Sequence, residues 1–350
     1  MSAPRCTAVG PRKGEAFVSP IRRSGGEGLK ATELNERIAG RSVLVTGASG
    51  FIGTHLCDRL ISGGARIHAI SRTRRESESE QLRWWQADLT DVAAVRQLVA
   101  ALQPQIVFHL ASYVMGAREL GVVVQTFYDN LASTVHLLTA AAETGCRRMV
   151  MASSSEEPLN PAGDGFPCSP YAAAKWASSM YGRMFHQLFG LPVVMPRINM
   201  TYGPNQRDLQ KLVPFVVRHL MRGEAPKLSS GQRRADWIYV DDVVEGLLRA
   251  AVYPDIEGCA FDLGTGRLTS VREIVEQIVE IMDSPVKPGF GALQDRPFEQ
   301  ERPADTTFLA EKLDYEPGTT IRRGLEETVE WYRRQFSPDL TTTAAEAGKS

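Results

Sequence analysis

"SVLVTGASGFIG", residues 42–53, sets a short apolar run directly against glycines at 47, 50 and 53. A continuous apolar run of this length reads as a strand buried on both faces. Glycines placed after the strand and at the start of a helix allow a tight turn, close approach of a pyrophosphate to backbone N–H groups, and close helix-to-strand packing. The helix N-terminus favours the negative charge. The stretch therefore predicts a strand, a phosphate-cradling loop of Gly47, Ser49, Gly50, Phe51, Ile52 and Gly53, and a helix. Outward from it, "THLCDRLISGG", "RIHAIS", "DVAAVRQLVAALQ" and "QIVFHLAS" continue the alternation of helical and strand-like runs. "RRMVMASS" and "LPVVMPRI" add strands, and "NLASTVHLLTAAAETG" and Tyr171–Phe189 add helices. Strands of this kind separated by helices mean an α/β, doubly wound parallel sheet covered on both faces.

The remaining composition narrows the class. The 350 residues allow one large or two modest domains. Forty basic against 41 acidic residues give no global pull toward nucleic acid or an anionic membrane. No apolar run is long enough to span a bilayer. Five scattered cysteines without CxxC spacing argue against a disulfide framework or zinc site and fit a reducing cytoplasm. Residues 1–40 read as a disordered extension without the apolar stretch of a secretory signal, and 337–350 as a flexible tail. After Pro196 the alternation loosens, so 41–198 form the dinucleotide domain, with 237–266 returning to it. Residues 199–236 and 267–336 form a smaller mixed α/β lobe.

The second strand, "RIHAIS", ends at Ser71, Arg72, Thr73, Arg74 and Arg75. A site that prefers NAD usually carries an acid there for the ribose 2′-hydroxyl, whereas serine and arginines can pair with a 2′-phosphate. NADP is therefore expected, with NAD possible. Asp88 and Leu89 would lie near the adenine. In "SPYAAAK", Tyr171 and Lys175 share a helical face one turn apart. A cation beside a phenol lowers its pKa from about 10 toward neutrality, which suits proton exchange with a substrate oxygen during hydride transfer. Upstream, "MVMASSSEEP" puts Ser153 to Ser155 at a strand end, where a hydroxyl can bond the same oxygen.

With "TGASGFIG", Asp88-Leu89, "VFHLAS", Asn130 in "DNLASTVHLL", "ASSSEE", "SPYAAAK", "YGP" at 202–204 and "DWIYVDDVVEGL" in this order, residues 41–336 resemble an extended short-chain dehydrogenase/reductase of the nucleotide-sugar epimerase/dehydratase family. The resemblance implies a Rossmann domain binding NAD(P), a C-terminal lobe binding a nucleoside-diphosphate sugar, and a homodimer. It places the catalytic serine at Ser154, with Ser155 as a one-residue alternative, beside Tyr171 and Lys175. Lys175 would also hold the nicotinamide ribose. His109, Leu110, Ala111, Ser112, Asn130 and Ser153 would line the cofactor. Ser154, Ser155, Glu156, Asn199, Arg233 and Arg234 would meet the substrate, the arginines at its diphosphate. Two departures stand out: Met200 occupies the place of the expected asparagine, with Asn199 one position early, and Glu157-Pro158-Leu159 replaces the usual Val-Tyr-Gly.

Members of the family differ in the step taken after hydride transfer. Glu156 is placed like the acid of a 4,6-dehydratase, yet "SSEE" also resembles 4-keto-6-deoxysugar reductases. The arginines after the second strand tilt the expectation toward an NADPH-dependent 4-ketoreductase, ahead of a 4-epimerase and then a dehydratase. A non-catalytic dinucleotide sensor is the reading from another class; the intact Ser154, Tyr171 and Lys175 weigh against it.

Overall fold

The computed structural model describes residues 31–77, 79–158 and 165–346. The described residues form two compact units. The first holds the chain up to Ile198, Val244–Leu263 and Asp305–Glu316; the second holds Asn199–Val243, Gly264–Ala304 and the chain from Pro317.

The first unit begins with α1 (Ala31–Ile38), then runs β1 (Ser42–Thr46), α2 (Phe51–Ser62), β2 (Arg66–Ser71), β3 (Leu82–Gln86), α3 (Val92–Leu102) and β4 (Ile106–His109). Next come α4 (Val123–Thr126), a π-helical turn at Phe127–Ala132, α5 (Ser133–Thr144), β5 (Arg148–Met151), β6 (Ser153–Ser154), α6 (Pro170–Phe189) and β7 (Val193–Ile198). The second unit adds β8 (Met200–Tyr202), α7 (Leu212–Met221) and β9 (Arg234–Tyr239). Then α8 (Val240–Val252) leads back to β10 (Ala260–Leu263) of the first unit. The chain ends with β11 (Leu268–Ser270), α9 (Val271–Ile281), α10 (Thr307–Leu313) and α11 (Ile321–Glu346).

The main sheet is parallel throughout in the order β3-β2-β1-β4-β5-β7-β10, with β6 also paired to β7. This is the doubly wound Rossmann arrangement. Its central strands are apolar on both faces because helices cover both: Val43, Leu44, Val45, Val107, Phe108, Met149, Val150, Val193 and Val194 are all fully buried. A mixed sheet β11-β9-β8 is the centre of the second unit.

Two local features set the strand ends that matter later. Met195 N donates to Cys259 O on the β10 side, so the alternation of a strand turns residue 196 toward β5 and β6. Pairing to that side skips from Val194 to Arg197. Pro196, which has no N–H to offer, sits in the gap. Gly182 on α6 faces Met195 Sδ and Met151 Cε, where a Cβ would approach to 2.6 and 3.1 Å. The missing side chain lets α6 lie close on the sheet.

Several expectations change. The N-terminal segment expected to be disordered to residue 40 forms helix α1 over Ala31–Ile38, because Leu34 and Ile38, one turn apart, are buried and Arg59 bonds Asn35 at 2.6 Å. Residues 1–30 lie outside the described residues. Helix α11 continues to Glu346, past the expected start of a flexible tail; residues 347–350 lie outside the description. The segment expected to return over 237–266 does so over Val244–Leu263, because β9 pairs into the small sheet. Asp305–Glu316 joins the first unit as well. Its Asp305 N donates to Asp262 at 3.0 Å, and Phe308 stacks on Phe261 at 4.5 Å.

The edge strand β3 carries Trp84 and Trp85, which lie under the guanidinium groups of Arg75 and Arg83 at 5.4 and 4.2 Å. The indole N–H of Trp85 donates to His68 on β2 at 3.1 Å.

Candidate active site

The loop after β1 is a cradle only glycine can build. Gly47 has φ +70°, and a Cβ on it would come within 2.6 Å of Ala111 N. A Cβ on Gly53 would stand 2.1 Å from Gly47 O. Gly50 caps α2 through its backbone alone, with Gly50 N bonded to Gly47 O at 2.9 Å. Ser49, Gly50, Phe51 and Ile52 thus surround a helix N-terminus that no side chain caps, where backbone N–H groups attract phosphate oxygens. The residues present fit a dinucleotide pyrophosphate.

Beside the loop, Thr46 Oγ1 bonds His109 Nδ1 at 2.7 Å and accepts from Ala111 N at 3.2 Å, while His109 Nε2 meets Thr134 Oγ1 at 2.9 Å. Burial pulls His109 down to about 3, with Lys175 adding to the effect. It is a neutral bolt between two threonines, and it holds Leu110 and Ala111 against Gly47. The Asn130 amide accepts from Tyr113 N at 2.6 Å and Ser112 Oγ at 3.1 Å and donates to Tyr113 O at 3.1 Å. It sits in the π-helical turn, a distortion that recurs at functional sites, and its amide shapes the 112–113 backbone.

At the end of β2, Ser71 Oγ accepts from Thr73 N and Arg75 Nε at 3.2 and 3.3 Å. Arg72, 73% exposed, lies 3.7 Å from Asp129. Arg74 is exposed. Asp88 is held below the usual carboxylate range by Thr90, first through the backbone N–H and then the hydroxyl, with Arg72 contributing. Leu89 is buried, and its carbonyl meets His136 at 3.0 Å.

Tyr171 and Lys175 open α6, whose start is set by the Ser169 hydroxyl accepting from Ala172 N and by Pro170 in the first turn. The hydroxyls of Ser154 and Ser112 both favour ionisation of the Tyr171 phenol. Ser154 Oγ accepts from Glu156 N at 3.2 Å. Between the two candidate serines, Ser154 is the one against the phenol. Ser153 instead turns its hydroxyl to Glu157 and Ser179. Glu156 Oε2 meets Ser169 Oγ at 3.4 Å.

Lys175 Nζ donates to Ala152 O at 2.8 Å and lies 5.9 Å from the Tyr171 ring centroid. The expected lowering of the phenol toward neutrality is reversed among the protein's own groups. Burial pushes Tyr171 above its ordinary value and the Glu156 carboxylate adds to it, against the opposing bonds from Ser154 and Ser112. Burial also pulls Lys175 down to about 8, opposed by Glu157. The phenol is therefore the protonated, donating form at neutral pH.

The second unit carries the remaining expected contacts. Asn199 is buried beside Gly264, where a Cβ would come within 2.7 Å of its amide nitrogen. Arg233 pairs with Glu299 at 2.8 Å; Arg234 N donates to Glu301 at 3.0 Å and its guanidinium to Leu268 O at 3.1 Å.

Two residues were given no role from sequence: Glu157, noted only as a departure from the usual Val-Tyr-Gly, and Ser179. Ser179 could have been, since Tyr171, Lys175 and Ser179 are set at four-residue spacing.

A Rossmann sheet with a glycine cradle and Ser154, Tyr171 and Lys175 gathered on one side are the features of the extended short-chain dehydrogenase/reductase class. Residues 43–264 match the NAD dependent epimerase/dehydratase family, and the chain belongs to it. It is 31% identical to a UDP-glucose 4-epimerase of Mycolicibacterium smegmatis over 83% of this chain and 98% of that one. It is 27% identical to a dTDP-glucose 4,6-dehydratase of Xanthomonas campestris pv. campestris over 83% and 92%. The solved structure of MoeE5 in complex with UDP-glucose and NAD superposes with a TM-score of 0.76 at 28% identity, covering 84% of this chain and 99% of that one. Among the described residues no helix is long and apolar enough to cross a membrane.

Proposed function

We propose that the chain is a 4-epimerase of a nucleoside-diphosphate hexose. The observation that carries this reading is the gathering of Ser154, Tyr171 and Lys175, with Lys175 Nζ 5.9 Å from the Tyr171 ring and the Ser154 hydroxyl acting on its phenol, a set that serves one substrate oxygen and suffices for oxidation and re-reduction at C4. The likeness to UDP-glucose 4-epimerase supports it. When bound, the nicotinamide takes up and returns a hydride, and its oxidised form adds positive charge that favours ionisation of a nearby phenol. Tyr171, ionised by that added charge, would receive the C4 hydroxyl proton as hydride leaves that carbon, and would give it back when hydride returns to the other face of the 4-keto sugar. Ser154 bonds the same oxygen throughout. Lys175 holds the ribose. Asn199, Arg233 and Arg234 are assigned to the sugar nucleotide, the arginines to its diphosphate.

A 4-ketoreductase is the second reading, favoured by Ser71, Arg72, Thr73, Arg74 and Arg75 at the end of β2, a stretch that carries no acid. That end suits NADPH, whereas the family is described as NAD dependent. The deciding experiment is release of any bound dinucleotide by denaturation, identified by mass spectrometry, with NADH and NADPH titrations and a screen of UDP- and dTDP-hexoses and their 4-keto-6-deoxy forms. Retained NAD and interconversion of C4 epimers are expected. An empty site preferring NADPH with net reduction of a keto sugar would replace the epimerase by the reductase. Retained NADP with loss of water would instead point to Glu156 and a dehydratase.

The partner we propose besides the sugar nucleotide is a second copy of the chain. Phe127 and Tyr128 in the π-helical turn, and Met180, Leu188 and Phe189 on α6, are exposed apolar side chains on elements that pack together. Light scattering should give a dimer, and Tyr128→Asp with Leu188→Asp a monomer; a wild-type monomer at micromolar concentration would refute the assignment.

A further inference from the structure

A carboxylic acid almost sealed from water sits behind the Tyr171–Lys175 face. Glu157 is 2% exposed. Its Oε1 accepts from Ser179 Oγ at 2.8 Å and from Ser153 Oγ, and the two hydroxyls meet at 2.6 Å. Ser179 lies one turn beyond Lys175 on α6, so the carboxyl is keyed to the same helical face as the phenol and the ammonium. An ionised carboxylate is costly in such a place unless donors and positive charge compensate. Burial pushes Glu157 up to about 7, opposed by the Ser179 hydroxyl, Arg197, the Ser154 backbone and Lys175 in that order.

The other charged groups leave Lys175 as the partner whose state can respond. Arg197, on β7, is committed to Asp262 at 2.6 Å. His109, on β4, is neutral between its threonines. Glu156 accepts from Ser169, and its negative charge is felt at the Tyr171 phenol. Lys175 Nζ donates to Ala152 O at 2.8 Å and the hydroxyl of the next residue, Ser153, donates to Glu157, so ammonium and carboxyl are held on one stretch of backbone; burial lowers the lysine's hold on its proton and Glu157 opposes the loss.

We propose that Glu157 is a positioning residue that keeps Lys175 an ammonium ion from the interior side of the site. It acts through Lys175 and touches neither substrate nor cofactor. The importance of that charge rests on the proposed oxidoreductase reading; the coupling between the two side chains does not. The sign is that of Coulomb attraction: an ionised Glu157 stabilises the protonated lysine, so removing the carboxylate lowers the pH at which Lys175 loses its proton.

The test tracks the Lys175 side chain by carbon-13 NMR of lysine labelled at Cε, assigned as the resonance that Lys175→Met removes. In Glu157→Gln, which keeps the volume and can still bond Ser179, the Lys175 midpoint is expected to fall by about one pH unit. NADH and NADPH affinity should then decline from a correspondingly lower pH, and Glu157→Asp should restore much of the shift. Ser179→Ala, which removes a bond favouring the carboxylate, should move the midpoint the same way by less. It serves if Glu157→Gln does not fold. An unchanged Lys175 midpoint in the variant that folds overturns the inference, whatever the turnover. A wild-type chain that binds neither dinucleotide would overturn the cofactor reading, with the Lys175 midpoint still deciding this one.

Discussion

Tyr171→Phe is expected to lower kcat by about 10²- to 10⁴-fold on the sugar nucleotide identified by the screen, with dinucleotide affinity nearly unchanged. The substitution removes one oxygen and leaves the ring, so α6 keeps its packing. Lys175 keeps its bond to Ala152 O, and Ser154 and Ser112 keep their hydroxyls. What is lost is the group that exchanges a proton with the sugar oxygen. Ser154 cannot replace it, since an alkyl hydroxyl is a far weaker acid than a phenol. Single-turnover kinetics monitored at the nicotinamide absorbance would place the loss in the hydride-transfer step. Near wild-type turnover would mean that another group carries the proton, and the Ser154–Tyr171 assignment would fall with it.

Gly53→Ala is the second large effect. The added Cβ would stand 2.1 Å from Gly47 O and 2.8 Å from the Ala48 Cα, both backbone atoms that cannot swing aside. Either α2 moves away from the loop or the loop loses the shape that aims its N–H groups at a pyrophosphate. A misfit of roughly 3 kcal/mol in the bound state would weaken NADH binding on the order of 100-fold. Gly121→Ala is the matched control, because a Cβ there meets nothing within 4 Å and the backbone needs no positive φ. Fluorescence titration of both variants should separate them; equal affinities would show that the loop does not bind the phosphates.

The legibility of the chain depended on how directly spacing dictates geometry. Gly47, Gly50 and Gly53 were legible because only one backbone path joins a buried strand to a helix over such a loop. Tyr171 and Lys175 were legible because four-residue spacing on a helix is itself a distance. Burial is different: it is a property of the surroundings, and it reversed the expected sign at Tyr171, where desolvation and Glu156 outweigh the hydroxyls of Ser154 and Ser112. Glu157 was visible only as a departure from Val-Tyr-Gly, since a turn does not announce which of two adjacent glutamates points inward. Ser153 and Asn130 were placed near the right segment and in different roles, because their hydroxyl and amide satisfy neighbouring buried groups. Helix α1 had a signal in Leu34 and Ile38 at helical spacing, short enough to be lost beside a basic, glycine-rich start.

The arginine–tryptophan pairs on β3 bear on how the molecule avoids its own kind. β3 ends the sheet, and an outermost strand presents backbone donors and acceptors that can recruit a strand from another chain. Wide indoles at such a border would ordinarily invite that growth. Here Arg75 and Arg83 lie over Trp84 and Trp85, so an incoming strand would have to displace cations attracted to the ring faces and meet their charge. The border can therefore be rich in tryptophan and still resist fibrillar extension.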